Sequence, residues 1–266
     1  MPARARVFRW FLPAIASLLF GGVLSAGFAL ALSARFGEPM APLPAAKAAL
    51  ERSGAFKIVA LGDSLTLGTG DAGGGYGARL AEVLRRDGRV VTFTNLAVNG
   101  AETADVLGVI AGPEASQQIA AADLLLVSAG GNDFNHGMRS VIDSNDNRAE
   151  VPVGRARQNL RKIVSELRRM NPKAAIRLLG LYNPYEVAAG ESEKAKALLL
   201  DWNVAIEQAT QPFDGVIVVP IADLFASRGD LLAGDRFHPG PRGHEVIADR
   251  MMETLAEVAG TREGKR

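Results

Sequence analysis

From Phe56 onward the chain alternates short apolar runs with longer segments whose apolar positions recur every three or four residues. The short runs are KIVALG, VVTFTNLA, DLLLVSAGG, AAIRLLGLY and GVIVVPIADLF. The longer ones are YGARLAEVLRRDG, RQNLRKIVSELRRMNP, ESEKAKALLLDWNVAIEQAT and GPRGHEVIADRMMETLAEVAG. Strand-type runs separated by helix-period segments predict a parallel sheet covered by helices on both faces. Runs such as Leu124 to Val127, apolar at every position, fit strands buried on two sides. The polar stretch FNHGMRSVIDSNDNRAEV, from Phe134 to Val151, shows neither pattern. An irregular insertion of that length in a compact domain tends to be functional or mobile.

The beginning of the chain is organised differently. Arg4, Arg6 and Arg9 precede a segment, Phe11 to Ser33, that contains no charged residue. Its length is about the ~20 residues needed to cross a bilayer core, and it exceeds the roughly 7–15 apolar residues of a secretory signal. The length favours an uncleaved anchor, while the triplets Ala29-Leu30-Ala31 and Ala31-Leu32-Ser33 offer sites for cleavage. In either case the arginines hold the N-terminus in the cytoplasm and send everything after Arg35 outward. The expected organisation is an anchor or signal over 1–35, a Pro-rich linker over 36–55, one domain over 56–260 and a polar tail over 261–266. The expected location is extracytoplasmic, tethered to the cell membrane or secreted if the segment is cut.

Composition narrows the chemistry. A formal net charge of +1 over 266 residues leaves no field that would attract nucleic acid, so none is expected as a partner. The chain has no cysteine, which removes disulfides, thiolate metal sites and a cysteine nucleophile. Imidazole is available only at His136, His238 and His244, so any general base of that type comes from these three.

Open parallel sheets bind ligands at the carboxyl ends of their strands, which singles out the residues just after each apolar run. After the first come Gly62, Asp63 and Ser64, after the second Asn95 to Gly100, and after the third Gly130, Gly131, Asn132 and Asp133. Beyond the last lies DRFHPG, with Asp235 and His238. A serine becomes a nucleophile when a histidine takes its proton and a carboxylate orients that histidine. Asp235 and His238, three positions apart around a turn ending at Pro239, supply both groups. Taken alone, a D-x-x-H pair also fits a helix or turn cap beside a surface histidine. Donors for an oxyanion are available at the Ser64 N–H, the Gly100 N–H and the Asn132 side-chain amide, each of which has a purely local reading as a turn residue. The conjunction of all five carries more weight than any one.

These residues carry a resemblance. GDSLTLG with Ser64, NLAVNGAET with Gly100, GGND with Asn132 and DRFHP with Asp235 and His238 resemble, in order, the four signature blocks of the SGNH, or GDSL, hydrolase family. The likeness extends over about Phe56 to Gly260. It implies a flavodoxin-like three-layer α/β/α sandwich in which Ser64 is the nucleophile, His238 the base and Asp235 its orienter. Ser64, Gly100 and Asn132 would form the oxyanion hole, with no metal or organic cofactor. The serine is not in the G-x-S-x-G elbow of α/β-hydrolases, because Thr66 stands where the second glycine would be. The implied activity is ester hydrolysis, and the expected position just outside a membrane points it toward lipid, lysophospholipid or cell-envelope acyl esters. An acyltransferase of the same fold and a catalytically silent membrane-tethered binding protein are the alternatives.

The remaining polar residues near these blocks have blander expected roles. Asp63 is expected to brace the serine loop by accepting backbone N–H bonds, and His136 and His244 to be surface residues. GTGDAGGGYGARL and LYNPYE resemble segments of bacterial extracytoplasmic members of the family. Tyr76 and the Asn183-Pro184-Tyr185 turn are read as pocket walls or as packing residues.

Overall fold

A computed structural model describes residues 54–136, 153–184 and 193–260. The segment Phe11 to Ser33, most of the linker, most of the Phe134 to Val151 insertion and the tail lie outside them. Among the described residues no helix is long and apolar enough to cross a membrane.

Five parallel strands form the sheet in the order β2-β1-β3-β4-β5. They are β1 (Phe56–Leu61), β2 (Val91–Asn95), β3 (Leu124–Val127), β4 (Ala175–Leu179) and β5 (Val216–Val219). The register pairs Ile58 with Phe93 on one side of β1 and with Leu124 on the other. Every residue of β3 and β4 is buried, including Arg177 of β4, whose guanidinium donates to the Thr254 hydroxyl and carbonyl.

Alternate residues of each strand feed two separate cores. Val59, Leu61, Leu125, Val127, Ile176 and Leu178 face one way. There they meet α3 (Thr103–Ala111), α4 (Pro113–Ala121), α5 (Val153–Met170) and α6 (Glu193–Thr210). Ile58, Ala60, Leu124, Leu126, Ala175 and Leu179 face the other way, onto α2 (Gly75–Arg86) and α8 (Pro241–Gly260). The two short helices α1 (Ser64–Leu67) and α7 (Ala222–Phe225) come after β1 and β5. The result is the expected three-layer sandwich, in flavodoxin-like strand order.

Helix α5 shows why the periodic segments fold as they do. Its buried residues, Ala156, Leu160, Ile163, Val164 and Leu167, fall on one stripe of a 3.6-residue repeat. Helices α3 and α4 are additions to the expected set. The Gly112-Pro113 pair divides residues 103–121 into two nine-residue helices, because Pro113 is suited to open a helix but not to continue one. Asp105 accepts the Glu102 N–H at 2.9 Å and so fixes the start of α3. Each half is too short for its own periodicity to declare it, and both are held by burying Val106, Ile110 and Ile119.

Candidate active site

Strands β1 and β3 leave the sheet side by side, and the loops that succeed them are fastened together at once. Gly62 adopts a φ of +135°, and a Cβ there would lie 2.1 Å from the Ser128 carbonyl oxygen. Only glycine permits that approach. It brings Asp63 within reach of Ser128, whose hydroxyl donates to Asp63 Oδ1 at 2.6 Å. The same carboxylate oxygen accepts the Leu65 N–H at 3.0 Å and so caps α1, whose first residue is Ser64. Burial pushes the Asp63 carboxyl above its ordinary range, against the opposing pull of Ser128 and the Leu65 N–H. Asp63 is thus the expected brace.

The second loop is tied to the first through Val98, whose N–H donates to the Gly62 carbonyl at 2.8 Å. Gly100 comes next, at φ +77°. The third loop continues into a helical segment over 131–136. Asn132 Nδ2 donates to the Ala101 carbonyl at 2.9 Å, which leaves its second amide hydrogen for the cleft that it lines. Asp133 accepts both the N–H and the hydroxyl of Thr103, at 2.9 and 2.7 Å. The GGND block therefore grips the start of α3 and with it the Gly100 turn.

Asp235 and His238 arrive from beyond β5. Their loop is closed by a bridge between Leu232 and Pro239 and by the Ala233 N–H on the His238 carbonyl at 2.8 Å. Asp235 Oδ1 accepts the N–H groups of Phe237 and His238 at 2.9 and 3.0 Å, which folds the D-x-x-H turn around the carboxylate. The other oxygen, Oδ2, then meets His238 Nδ1 at 2.6 Å. His238 Nε2 lies 2.9 Å from Ser64 Oγ. Desolvation raises the proton affinity of Asp235, but the His238 ring and the two N–H groups outweigh it and hold the carboxyl below its usual range. The arrangement can carry a proton from Ser64 Oγ to His238 Nε2 while Nδ1 keeps its own proton on Asp235.

The cleft above Ser64, which is 7% exposed, is lined on its polar side by Ser128, Gly131 and Asn132. Its walls are Leu65, Phe134, Leu181, Tyr182, Pro184 and Phe237. Among the described residues no group of three or more His, Asp or Glu side chains is placed to hold a metal ion.

Of the two readings open for Tyr76 the structure takes the packing one: it is fully buried in the core shared by α2 and α8, with its hydroxyl 2.7 Å from Thr66 Oγ1. One expectation needs correction. His244 is not a surface residue: it is 0% exposed, because α8 turns that side toward α2. His136 is exposed, with Nδ1 against a Glu102 carboxylate oxygen, and of the Asn183-Pro184-Tyr185 turn Pro184 does line the cleft while Tyr185 lies outside the described residues. Tyr182 is a contributor outside the four signature blocks. It donates its hydroxyl to the Phe237 carbonyl at 2.6 Å, beside His238, and its ring lines the cleft. Its position at the end of the fourth apolar run, inside LYNPYE, is the signal the sequence offers for it.

A parallel sheet in this strand order, with serine, histidine and aspartate hydrogen-bonded in succession at its carboxyl edge, is the build of an SGNH-type hydrolase. Residues 60–246 match the sequence model of the GDSL-like lipase/acylhydrolase family. The chain belongs to that family and is a carboxylic ester hydrolase. It is 31% identical over 208 residues to protein YpmR of Bacillus subtilis (strain 168), covering 74% of this chain and 80% of the relative. It is 24% identical over 207 residues to the spore germination lipase LipC of Bacillus licheniformis, covering 73% and 94%. Among solved structures, the lipase Lip_vut3 from a goat rumen metagenome superposes with a TM-score of 0.68 at 24% identity, over 75% of this chain and 97% of that one.

Proposed function

We propose that the protein hydrolyses acyl esters of lipids, lysophospholipids or cell-envelope components, with Ser64 as nucleophile, His238 as general base and acid, and Asp235 as its orienter. The observation that carries this reading is the unbroken succession Asp235 Oδ2, His238 Nδ1, His238 Nε2, Ser64 Oγ. Ser64 Oγ bonds to the ester carbonyl carbon as its proton passes to Nε2. The oxygen that gains negative charge accepts hydrogen bonds from the Ser64 and Gly100 N–H groups and from Asn132, each donor worth roughly 10²–10³ in rate. The imidazolium returns the proton to the departing alcohol as the ester C–O bond breaks. Water then repeats the sequence on the acyl-serine and frees the acid.

The choice of acyl substrate rests on the walls. Six apolar or aromatic side chains line the cleft beside Ser64, and LipC and Lip_vut3 are both named as lipases. With a panel of p-nitrophenyl esters, kcat/KM is expected to rise from acetyl by about fourfold per added methylene until the cleft is full, in line with ~0.8 kcal/mol per buried CH₂. A maximum at acetyl with steady decline thereafter would overturn the lipid-type reading.

We also place the domain on the outer face of the membrane, on the strength of Arg4, Arg6 and Arg9 before an uncharged Phe11 to Ser33. The full chain should sediment with membranes and be shaved from intact spheroplasts by added protease, or, if cleaved, appear outside the cell. Recovery in the cytoplasmic fraction would exclude this placement.

A further inference from the structure

Ser64 and His238 stand 174 residues apart in sequence, so the geometry between them depends on how two separate loops are joined. Behind Ser64, α1 ends in the glycine-rich turn 68–74 before α2 begins. The N–H groups of Gly68 and Thr69 both return to the Ser64 carbonyl, at 3.1 and 3.0 Å. Behind His238, α8 begins at Pro241, and the His244 N–H closes its first turn on the Gly240 carbonyl at 2.9 Å. The turn also packs on the base loop: Gly70, at φ +95°, approaches so closely that a Cβ would lie 2.3 Å from the Pro239 carbonyl oxygen.

The His244 ring spans this junction. Nδ1 receives the Tyr76 N–H at 3.3 Å, and Nε2 lies 3.1 Å from the Thr69 carbonyl oxygen. A lone pair must face an N–H donor and a proton must face a carbonyl, so the ring is neutral with its hydrogen on Nε2. Tyr76 is the second residue of α2, whose own N-cap, Gly74, offers no side-chain acceptor. His244 therefore satisfies one of that helix's unpaired N–H groups from another helix, and its ring lies parallel to that of Tyr76 at 6.5 Å.

We propose that His244 is a positioning residue for the reaction. Its neutral imidazole fastens the glycine turn behind Ser64 to the helix that begins just after His238, and its protonation removes the acceptor for the Tyr76 N–H and loosens the turn. The inference rests on the reading of Ser64 as nucleophile.

The groups around the ring fix the direction of its pH response. Burial is the largest influence and holds His244 below the ordinary imidazole range. Asp71 in the turn favours the proton, while Arg79 on α2 and His238 oppose it. Arg79 binds Asp71 through two hydrogen bonds, at 2.8 and 3.1 Å, and also sees Glu245 of α8. The remaining titratable neighbour, Tyr76, is held in its neutral phenol form by burial. A histidine with a lowered value in the folded state is neutral through the neutral range and gains its proton only as pH falls through that lowered value. The clamp is thus engaged at neutral pH and fails on the acid side.

The test compares wild type with His244→Phe and His244→Asn, using a short p-nitrophenyl ester and a fluorophosphonate that labels the active serine. His244→Phe keeps the bulk and loses both polar contacts. It is expected to lower kcat by roughly 10²-fold, as displacement of a reacting group by about an ångström does, with KM within about twofold and labelling of Ser64 slowed in parallel. His244→Asn, which can accept the Tyr76 N–H without titrating, should recover to about a tenth of wild-type kcat or better. Its acid limb of log kcat/KM should follow one proton, whereas that of the wild type steepens toward two. Wild-type labelling rates and an unchanged acid limb in both variants would overturn the role of His244 alone. Absence of label on wild-type Ser64 would overturn the nucleophile reading as well. Should His244→Phe not fold, the slope of the His244→Asn acid limb decides.

Discussion

Replacing Ser64 with alanine is expected to lower kcat on a short p-nitrophenyl ester by roughly 10⁴–10⁶-fold while leaving the melting temperature nearly unchanged. The two halves of that expectation come from different atoms. The lost hydroxyl is the group hydrogen-bonded to His238 Nε2 at 2.9 Å. The loop itself is held by the backbone and by Asp63. The Ser64 carbonyl receives Gly68 and Thr69, and Asp63 caps Leu65. Alanine keeps every one of these bonds, so the change in stability should stay within about 1 kcal/mol. Residual activity near one per cent of wild type, in protein free of contaminating esterase, would show that another group attacks the ester. A collapse of the melting temperature would show instead that the hydroxyl holds the loop.

Legibility in the sequence depends on the kind of interaction each residue makes. The strands can be read because β3 and β4 are buried on both faces, which favours apolar residues at successive positions; the one exception in these two strands, Arg177, is satisfied by the hydroxyl and carbonyl of Thr254. Ser64, Asn132, Asp235 and His238 can be proposed because parallel strands deliver their succeeding loops to one edge. The bracing is harder, since a bracing residue is defined by its partner. Ser128 reads as one small polar residue among several until β1 and β3 are paired, and only then does it stand against Asp63.

His244 is the instructive miss. One polar residue in a helix's first turn reads as solvated, yet it lies three, seven and eleven positions before Ile247, Met251 and Leu255, all buried. That places it on the apolar stripe of α8, a signal that periodicity carries and that attention to residue type obscures. Tyr76 is a case the sequence leaves open. An aromatic beside a glycine-rich loop fits a pocket wall or a packing residue alike, and only the turn that leads into α2, by facing that helix inward, decides for packing.

The conversion of Asp235 to asparagine should cost roughly 10³–10⁴ in kcat with little effect on the fold, and the reason is the tautomer of His238 more than the field of the carboxylate. The Asp235 side chain is 46% exposed, so water screens much of its charge. Its geometry is more decisive. Oδ1 is occupied by the Phe237 and His238 N–H groups, which fixes Oδ2 as the partner of Nδ1 at 2.6 Å. Asparagine can keep its oxygen on the two N–H groups and then presents its NH₂ to Nδ1. A donor facing Nδ1 demands a lone pair there, which moves the imidazole proton to Nε2, the atom that must accept the proton of Ser64. Because the Asp235 carboxyl sits below its usual range, the wild-type residue stays ionised down to acid pH. A depressed carboxyl of this kind loses its contribution only as pH falls through its own low value, so Asp235 itself accounts for no loss of activity at mildly acid pH. In Asp235→Asn the defect should therefore persist at every pH where the enzyme is folded, with KM close to that of the wild type. Recovery to within about tenfold of wild type at neutral pH would assign Asp235 to the folding of its turn and leave the orientation of His238 to Tyr182 and Phe237.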